Sequence, residues 1–505
     1  MQDRPAKLQD YQTYIDGKWC DAASGKRLQS FDPYTGEAWA TIPECDATDV
    51  DRAVNAAHRA FESGPWAAMT QTARGKVLRR LAENIEKHAE HLAKIEVRDN
   101  GKLISEMLAQ TKYMPEWYYY YGGLADKIQG AVVPVDKPDH FAYILREPVG
   151  VCAFIVPWNS PLLLVSWKLA PALAAGCTVV IKPSEYTSAS LLEFMKLCVE
   201  PLGLPPGVIN VVTGYGQAAG EPLVTHPKVA KVAFTGGSAT GSRVASLAAA
   251  SFKKISLELG GKSPNIVFDD AHIDDAVNGA ISGIFAASGQ TCIAGSRLLV
   301  QESIHDKFLD KLVATASQAK LGNPQLFETQ VGPVTTPPQY QKILGYIDIA
   351  KDEGAQLVLG GGPAGADKGG GKYFVQPTIF AGVHNKMRIA QEEVFGPVLS
   401  VIKFKDEEDA AQIANDVIYG LGSGVWTQSL NRALRMAKRI RAGTVWVNTY
   451  RAVSFSMPFG GYKSSGLGRE NGADAINEYL QTKSVWINTQ VGQGGNPFVM
   501  KTSAS

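Results

Sequence analysis

The chain is poor in cysteine for its length: six in 505 residues, at positions 20, 45, 152, 177, 198 and 292, with no Cys-x-x-Cys pair. That excludes a disulfide framework and a structural zinc site, and it leaves any reactive thiol free. Charge of one sign is also lacking. With 50 basic and 49 acidic residues the net charge is +1, so neither a nucleic-acid surface nor a polybasic membrane patch is expected. Long hydrophobic runs are missing. The most apolar region, 147 to 181, is interrupted by Pro157, Asn159, Pro161, Lys168 and Pro171, and Met1-Gln2-Asp3-Arg4-Pro5 does not have the charged-then-apolar pattern of an export signal. No membrane span is expected, and the cytoplasm is the default location. The eight histidines are scattered, and their one close pair, His88 and His91, lies in a Glu- and Lys-rich helical stretch that reads as a solvated face, so no metal site is expected. There is no internal repeat.

What is present is length and alternation. A chain of 505 residues needs two or three domains. Residues 8 to 45 read as short strands and turns, with a hairpin signal over Tyr14 to Trp19. Helices follow. Thr48 and Asp51 form a plausible cap ahead of Val50, Val54, Ala57 and Phe61, and a segment from 71 to 99 carries Val77, Leu81 and Ile85 and closes at Asn100-Gly101. From 150 the pattern changes. Strands are expected over 151–156, 178–181, 208–212, 229–234 and 255–259, with helices over 161–175, 187–200, 216–224 and 239–250 between them. This is an α/β class with a parallel, Rossmann-type sheet covered on both faces. A second alternating series starts at Asn265 and predicts a second α/β domain from about 260 to 460. Residues 128 to 148 and 484 to 489 read as a β-ribbon and a late strand whose apolar edges call for a partner, most simply another subunit. The glycine-rich piece 360 to 371 reads as a surface loop.

The chemistry gathers around Ser288-Gly289-Gln290-Thr291-Cys292-Ile293-Ala294-Gly295. A lone cysteine is more often a small buried hydrophobe, but small flanking residues also suit a thiol that substrate and cofactor must approach closely. Its nucleophilicity calls for a nearby positive or dipolar field. Asn159, just after the first strand of the nucleotide fold, is a candidate oxyanion donor beside the Cys292 backbone N–H, though an Asn there is commonly a turn residue. In Lys182-Pro183-Ser184-Glu185, at the end of the second strand, the carboxylate can accept from ribose hydroxyls and would repel a 2′-phosphate, which favours NAD over NADP. The turn Gly236-Gly237-Ser238-Ala239-Thr240-Gly241 suits a pyrophosphate, but it does not have the G-x-G-x-x-G spacing. Glu258, between two leucines at a strand end, is either a costly buried charge or a base with a tuned pKa.

Cys292 in Gly-Gln-Thr-Cys-Ile-Ala-Gly, Glu258 in Leu-Glu-Leu-Gly-Gly-Lys, Pro157-Trp158-Asn159, Glu392-Glu393-Val394-Phe395-Gly396-Pro397 and Pro458 to Gly466 together resemble the NAD(P)-dependent aldehyde dehydrogenase superfamily over nearly the whole chain. The resemblance implies three parts: a cofactor domain (1–127 and 149–259), a catalytic domain (260–470) and an oligomerisation element (128–148 and 471–505) that makes a homodimer or homotetramer. It implies that Ile155, Trp158, Lys182, Glu185, Gly236, Gly237, Glu393 and Phe395 bind the cofactor. It also implies that Cys292 attacks the aldehyde, Asn159 holds the oxyanion, and Glu258 activates the water that releases the acid. Two positions depart from the common pattern. Gly237 replaces a frequent serine, and Ser160 replaces a frequent aromatic residue, which leaves the substrate tunnel roomier. By position, Tyr113, Trp117, Ser160, Trp167, Arg451, Val453 and Phe459 line that tunnel. An inward Arg451 would disfavour a cationic aldehyde, although it also reads as a surface loop residue. Two other readings compete: a CoA-acylating relative, against which Glu258 speaks, and a silent relative kept for binding or structure.

Overall fold

The computed structural model describes residues 8–365, 371–490, 496 and 498. The first seven residues, 366–370 of the glycine-rich loop, and residues 491–495, 497 and 499–505 of the segment assigned above to the oligomerisation element lie outside the described residues.

Buried apolar strands build the first sheet. Val151–Ile155, Thr178–Lys182, Ile209–Val211, Val229–Thr235 and Lys254–Glu258 run parallel and are buried almost throughout, as near-continuous apolar strands covered on both faces should be. The order across this eight-stranded sheet is Gly466–Leu467, Lys254–Glu258, Val229–Thr235, Val151–Ile155, Thr178–Lys182, Ile209–Val211, Thr13–Ile15 and Lys18–Cys20. The chain moves outward from Val151–Ile155 on one side, then returns to Val229–Thr235 on the other. The crevice at the carboxyl ends of those two strands is thus the topological switch point, where open α/β sheets bind ligands.

The helix Pro161–Ala175 starts with proline at its first turn and ends at Gly176, whose φ of 99° is a left-handed cap. It is buried all round, and Leu162, Val165, Leu169 and Leu173 each contribute about 1.5–3 kcal/mol of gross burial. The helix Gln71–Asn100 is capped by Thr70 and closed by Gly101 at φ 75°. Its buried face runs through Leu78, Leu81 and Ile85, with Val77 at the margin. The preceding helix, Ala47–Glu62, differs from expectation at its start: Asp46 is the N-cap, in a reciprocal capping box with Asp49. Carboxylates satisfied the first-turn N–H groups in place of the predicted Thr48 and Asp51. The stretch read as one helix over 187–200 is the helix Ala189–Phe194 followed by a π-turn, Met195–Val199.

A second sheet of seven strands runs Gln356–Leu359, Thr378–Ala381, Val398–Phe404, Arg297–Gln301, Pro264–Val267, Gly422–Trp426 and Thr444–Val447, and only the first of these is antiparallel to its neighbour. The ribbon forms a third sheet, in which His140–Pro148 pairs with Ala131–Val133 on one side and with Leu480–Asn488 on the other. Val132, Phe141, Trp486 and Ile487 are exposed on it. Gly466–Leu467 crosses back to pair with Lys254–Glu258, so the chain after the second sheet closes the edge of the first. No helix among the described residues is long and apolar enough to cross a membrane.

Candidate active site

Cys292 sits on a strained loop that four separate segments hold in place. After the helix Ile273–Ile284 the backbone takes left-handed φ at Ala287 (54°), Ser288 (51°) and Gly289 (69°). Such a run is unfavourable for non-glycine residues and persists only if its surroundings enforce it. The Ala287 N–H donates to Glu106 Oε1 at 2.7 Å, and the Ser288 hydroxyl donates to the Gly332 carbonyl at 2.8 Å. The Gln290 side chain donates to the Pro333 carbonyl at 3.2 Å and accepts from the Thr335 N–H at 2.9 Å. A Cβ at Gly289 would lie 2.0 Å from the Gly396 carbonyl oxygen. Only glycine fits there. The Gly-Gly of the Leu-Glu-Leu-Gly-Gly-Lys motif serves the same end, since a Cβ on Gly261 would come within 2.5 Å of the Cys292 carbonyl.

Asn159 is buried on the turn after Val151–Ile155 and is aimed at this loop, its Nδ2 donating to the Gln290 carbonyl at 3.1 Å. The closing turn of the long helix backs it up: Asn100 Nδ2 donates to the Asn159 carbonyl at 3.5 Å, and the Asn100 carbonyl accepts from Thr335 Oγ1 at 2.5 Å. Gly101 then drops Lys102 into the interior. Its Nζ donates to Ser160 Oγ at 2.9 Å. The room expected beside Ser160 is therefore occupied, because a short hydroxyl lets the lysine reach in.

A cavity of about 180 Å³ at the switch point is lined by Trp158, Asn159, Gly236, Gly237, Glu258, Cys292, Glu393 and Phe395, among others. It brings together all three residues given chemical roles by the sequence. Glu258 ends its strand with both carboxylate oxygens buried and without a hydrogen bond. Burial first, then the neighbouring Glu470, pushes its pKa well above the ordinary carboxylate value, and Lys168 opposes them. The Lys168 ammonium is buried, bonded to Thr235 Oγ1 at 2.7 Å and paired with Glu470. Burial, followed by Glu258 and Glu393, pushes the Cys292 thiol up to about 12. Lys102 leads the influences that favour the thiolate, followed by the Ile293 backbone N–H, and they are outweighed.

The cofactor candidates divide into two groups. Trp158 and Phe395 meet edge to face at 5.3 Å in the cavity, and Glu393 accepts from the Gly261 N–H at 2.9 Å. Ile155, Lys182 and Glu185 lie outside the cavity lining, at the ends of Val151–Ile155 and Thr178–Lys182. There Lys182 and Glu185 approach to 3.7 Å, and Lys182 Nζ donates to the Pro183 carbonyl at 2.9 Å. The half-buried Glu185 carboxylate, paired with Lys182, keeps acceptor positions for ribose hydroxyls, and no side chain stands over Gly237. These residues fit a dinucleotide. Among the tunnel candidates, Trp117 stacks on Trp167 at 6.0 Å, Trp167 meets Phe459 at 5.0 Å, and Tyr113 meets Trp117 at 5.0 Å, forming one largely buried aromatic wall that lies outside the lining of that cavity. Val453 is half-buried, and Arg451 Nη1 donates to the Ser282 carbonyl at 3.2 Å. Sequence reasoning missed Phe455, which packs on Tyr113, Trp117 and Tyr120, and the charges Lys102, Glu106, Lys168 and Glu470. A larger open depression of about 740 Å³, between residues 316 and 377, contains none of the predicted site residues.

A Rossmann-type sheet whose switch point opens on a thiol, an amide and a buried carboxylate defines a dinucleotide-dependent oxidoreductase. The aldehyde dehydrogenase family model matches residues 19–485. A dehydrogenase of (Z)-2-((N-methylformamido)methylene)-5-hydroxybutyrolactone from Acinetobacter baylyi is 49% identical over 98% of this chain and 100% of its own length. The betaine aldehyde dehydrogenase of Staphylococcus aureus, solved with NAD+, superposes with a TM-score of 0.95 at 42% identity, covering 97% of this chain and 96% of that one. An aldehyde dehydrogenase of Bacillus cereus, also solved with NAD+, gives 0.93 at 43% identity over 95% and 97%. The chain belongs to the aldehyde dehydrogenase family. It oxidises an aldehyde to the carboxylic acid, with NAD as cofactor.

Proposed function

We propose that Cys292, Asn159 and Glu258 carry out this oxidation as nucleophile, oxyanion donor and deacylation base. The observation that carries the reading is that one cavity holds the thiol, the amide bound to the thiol's own loop, and a carboxylate with no hydrogen-bond partner. Cys292 Sγ attacks the aldehyde carbon and forms a thiohemiacetal. Asn159 Nδ2 and the Cys292 N–H stabilise the oxygen as it gains charge, the class of interaction worth about 2.7–4 kcal/mol per donor. NAD, when bound, supplies the hydride acceptor. Its adenosine ribose falls to Lys182 and Glu185, its pyrophosphate to Gly236 and Gly237, and its nicotinamide end to Glu393 and Phe395, with Ile155 and Trp158 alongside. The acyl group then rests on Cys292 as a thioester. Glu258 draws a proton from the water that attacks it, and the raised proton affinity of this buried carboxylate suits it to that task.

In this reading 1–127 and 149–259 serve the cofactor, 260–470 the chemistry, and 128–148 with 471–505 the association of subunits. The protein is then a cytoplasmic homodimer or homotetramer. The apolar residues exposed on the three-stranded ribbon, with Val132 at 68% and Trp486 at 54% exposure, support an interface there. The chemical roles are tested by rapid mixing of Glu258→Gln with NAD and an aldehyde. A burst of NADH close to one per active site without turnover is expected, and no NADH at all from Cys292→Ala. A folded, NAD-binding Glu258→Gln protein with no burst would reject the division of labour.

A further inference from the structure

Two cations lie within electrostatic reach of one another, Lys102 also within reach of Cys292, and neither is paired with a carboxylate among the described residues. Lys102 is buried, and its one side-chain hydrogen bond goes to Ser160 Oγ. Arg451 is half-buried and makes one described hydrogen bond, to the Ser282 carbonyl. Glu106 and Glu96 attract Lys102 from beyond ion-pair distance, and Arg451 repels it, so these groups share one field.

The backbone fixes Arg451 in this place. Asn448 and Arg451 hold left-handed φ values of 52° and 66°, a conformation that non-glycine residues keep only under constraint. Asn448 is clamped by Thr427, whose N–H and carbonyl it engages at 3.0 and 2.9 Å. Tyr450 turns inward and donates to the Ile293 carbonyl at 3.0 Å, one residue past the nucleophile. Phe455, on the same loop, packs against Tyr113 and Trp117 of the aromatic wall. Arg451 thus lies between an anchor on the Cys292 loop and an anchor on the wall. Its guanidinium has five N–H donors, and one is used.

Resting on the aldehyde dehydrogenase reading above, we propose that this chain selects aldehydes whose far end carries a hydrogen-bond-accepting oxygen group, a carboxylate or a carbonyl, received by Arg451 with Lys102 and Ser160 behind it. A planar fork of donors suits either group, and a carboxylate gains charge pairing as well. A quaternary ammonium aldehyde meets like charge on the same path. The rival determinant is the aromatic wall, because Trp117, Trp167 and Phe459 could hold a cation face-on.

The test compares four aldehydes with NAD: succinic semialdehyde, its methyl ester, butanal and betaine aldehyde. The semialdehyde or the ester is expected to exceed butanal in kcat/KM by about tenfold or more, with betaine aldehyde the poorest. A lead for the semialdehyde identifies a carboxylate and a lead for the ester a carbonyl. In Arg451→Gln that lead shrinks by about tenfold through KM, and Arg451→Lys recovers part of it. A second readout needs no turnover: succinate or its dimethyl ester should slow iodoacetamide alkylation of Cys292 in the wild type and fail to do so in Arg451→Gln, while choline gives no protection. Betaine aldehyde used as well as the acceptor-bearing aldehydes, protection by choline in place of succinate and its ester, or an unchanged preference in Arg451→Gln would overturn the proposal. Protection by succinate with no NADH from any aldehyde would sink the oxidation reading and leave the recognition site standing.

Discussion

At pH 8 a thiol at the ordinary value of 9.0 is about one-tenth thiolate. Cys292, pushed up to about 12, is about one ten-thousandth thiolate at that pH, a thousandfold less. The more basic thiolate is also the better nucleophile, and with a Brønsted coefficient of about 0.4–0.5 three units return about 16- to 32-fold. Cys292 in the absence of NAD should therefore alkylate about thirty- to sixtyfold more slowly at pH 8 than an ordinary thiol. The assay is iodoacetamide labelling of the protein without NAD between pH 7 and pH 10.5, read as modification of the Cys292 peptide by mass spectrometry. Cys292→Ala serves as the blank for Cys20, the other partly exposed thiol. The direction follows from the cause: burial and the carboxylates of Glu258 and Glu393 oppose the thiolate, so the logarithm of the rate should climb about one unit per pH unit with no plateau in this range. A plateau below about pH 9 would refute the reasoning. It would mean that the field of Lys102, or a donor to the sulfur, outweighs burial.

Two substitutions probe the frame around this centre. Gly289→Ala places a methyl against the Gly396 carbonyl at a left-handed residue, so the Cys292 loop must shift; kcat should fall about a hundredfold with NAD binding retained, and an unchanged kcat would show that the loop tolerates the move. Lys168→Met leaves the Glu470 carboxylate buried without its ammonium, which should cost about 3–5 kcal/mol and lower Tm; adding Glu470→Gln should recover most of the loss, and equal Tm values for the two variants would remove the pair from the account.

The parts of this fold legible in the sequence are those set by local periodicity. The helix Pro161–Ala175 has proline at its start and glycine at its end, and the apolar strands between 151 and 259 are punctuated by turns, so their limits follow from short-range chemistry. The ribbon is legible for the same reason, but the partner expected for its edge was another subunit, whereas Leu480–Asn488 of the same chain pairs with it, a contact across more than 330 positions that no local pattern reveals. Asp46 was harder to see because Asp, Thr and Asp at 46, 48 and 51 all suit a helix start, and backbone geometry chose among them. The charges around the site were illegible. Lys168 meets Glu470 across 302 positions, and Lys102 meets Ser160 across 58, so no window of sequence joins them. Each reads alone as an ordinary surface residue. One signal was available for Lys102: it directly follows an Asn-Gly helix stop, which turns the next side chain inward when the helix end is buried.

The central claim is that the acyl group passes through Cys292 and that Glu258 releases it. Intact-mass and peptide analysis of Glu258→Gln, acid-quenched after mixing with NAD and an aldehyde, tests this most directly. The account predicts an acyl adduct on the Cys292 peptide, present within the NADH burst and absent when NAD is left out. An NADH burst with an unmodified Cys292 peptide, or an adduct on another residue, would contradict it.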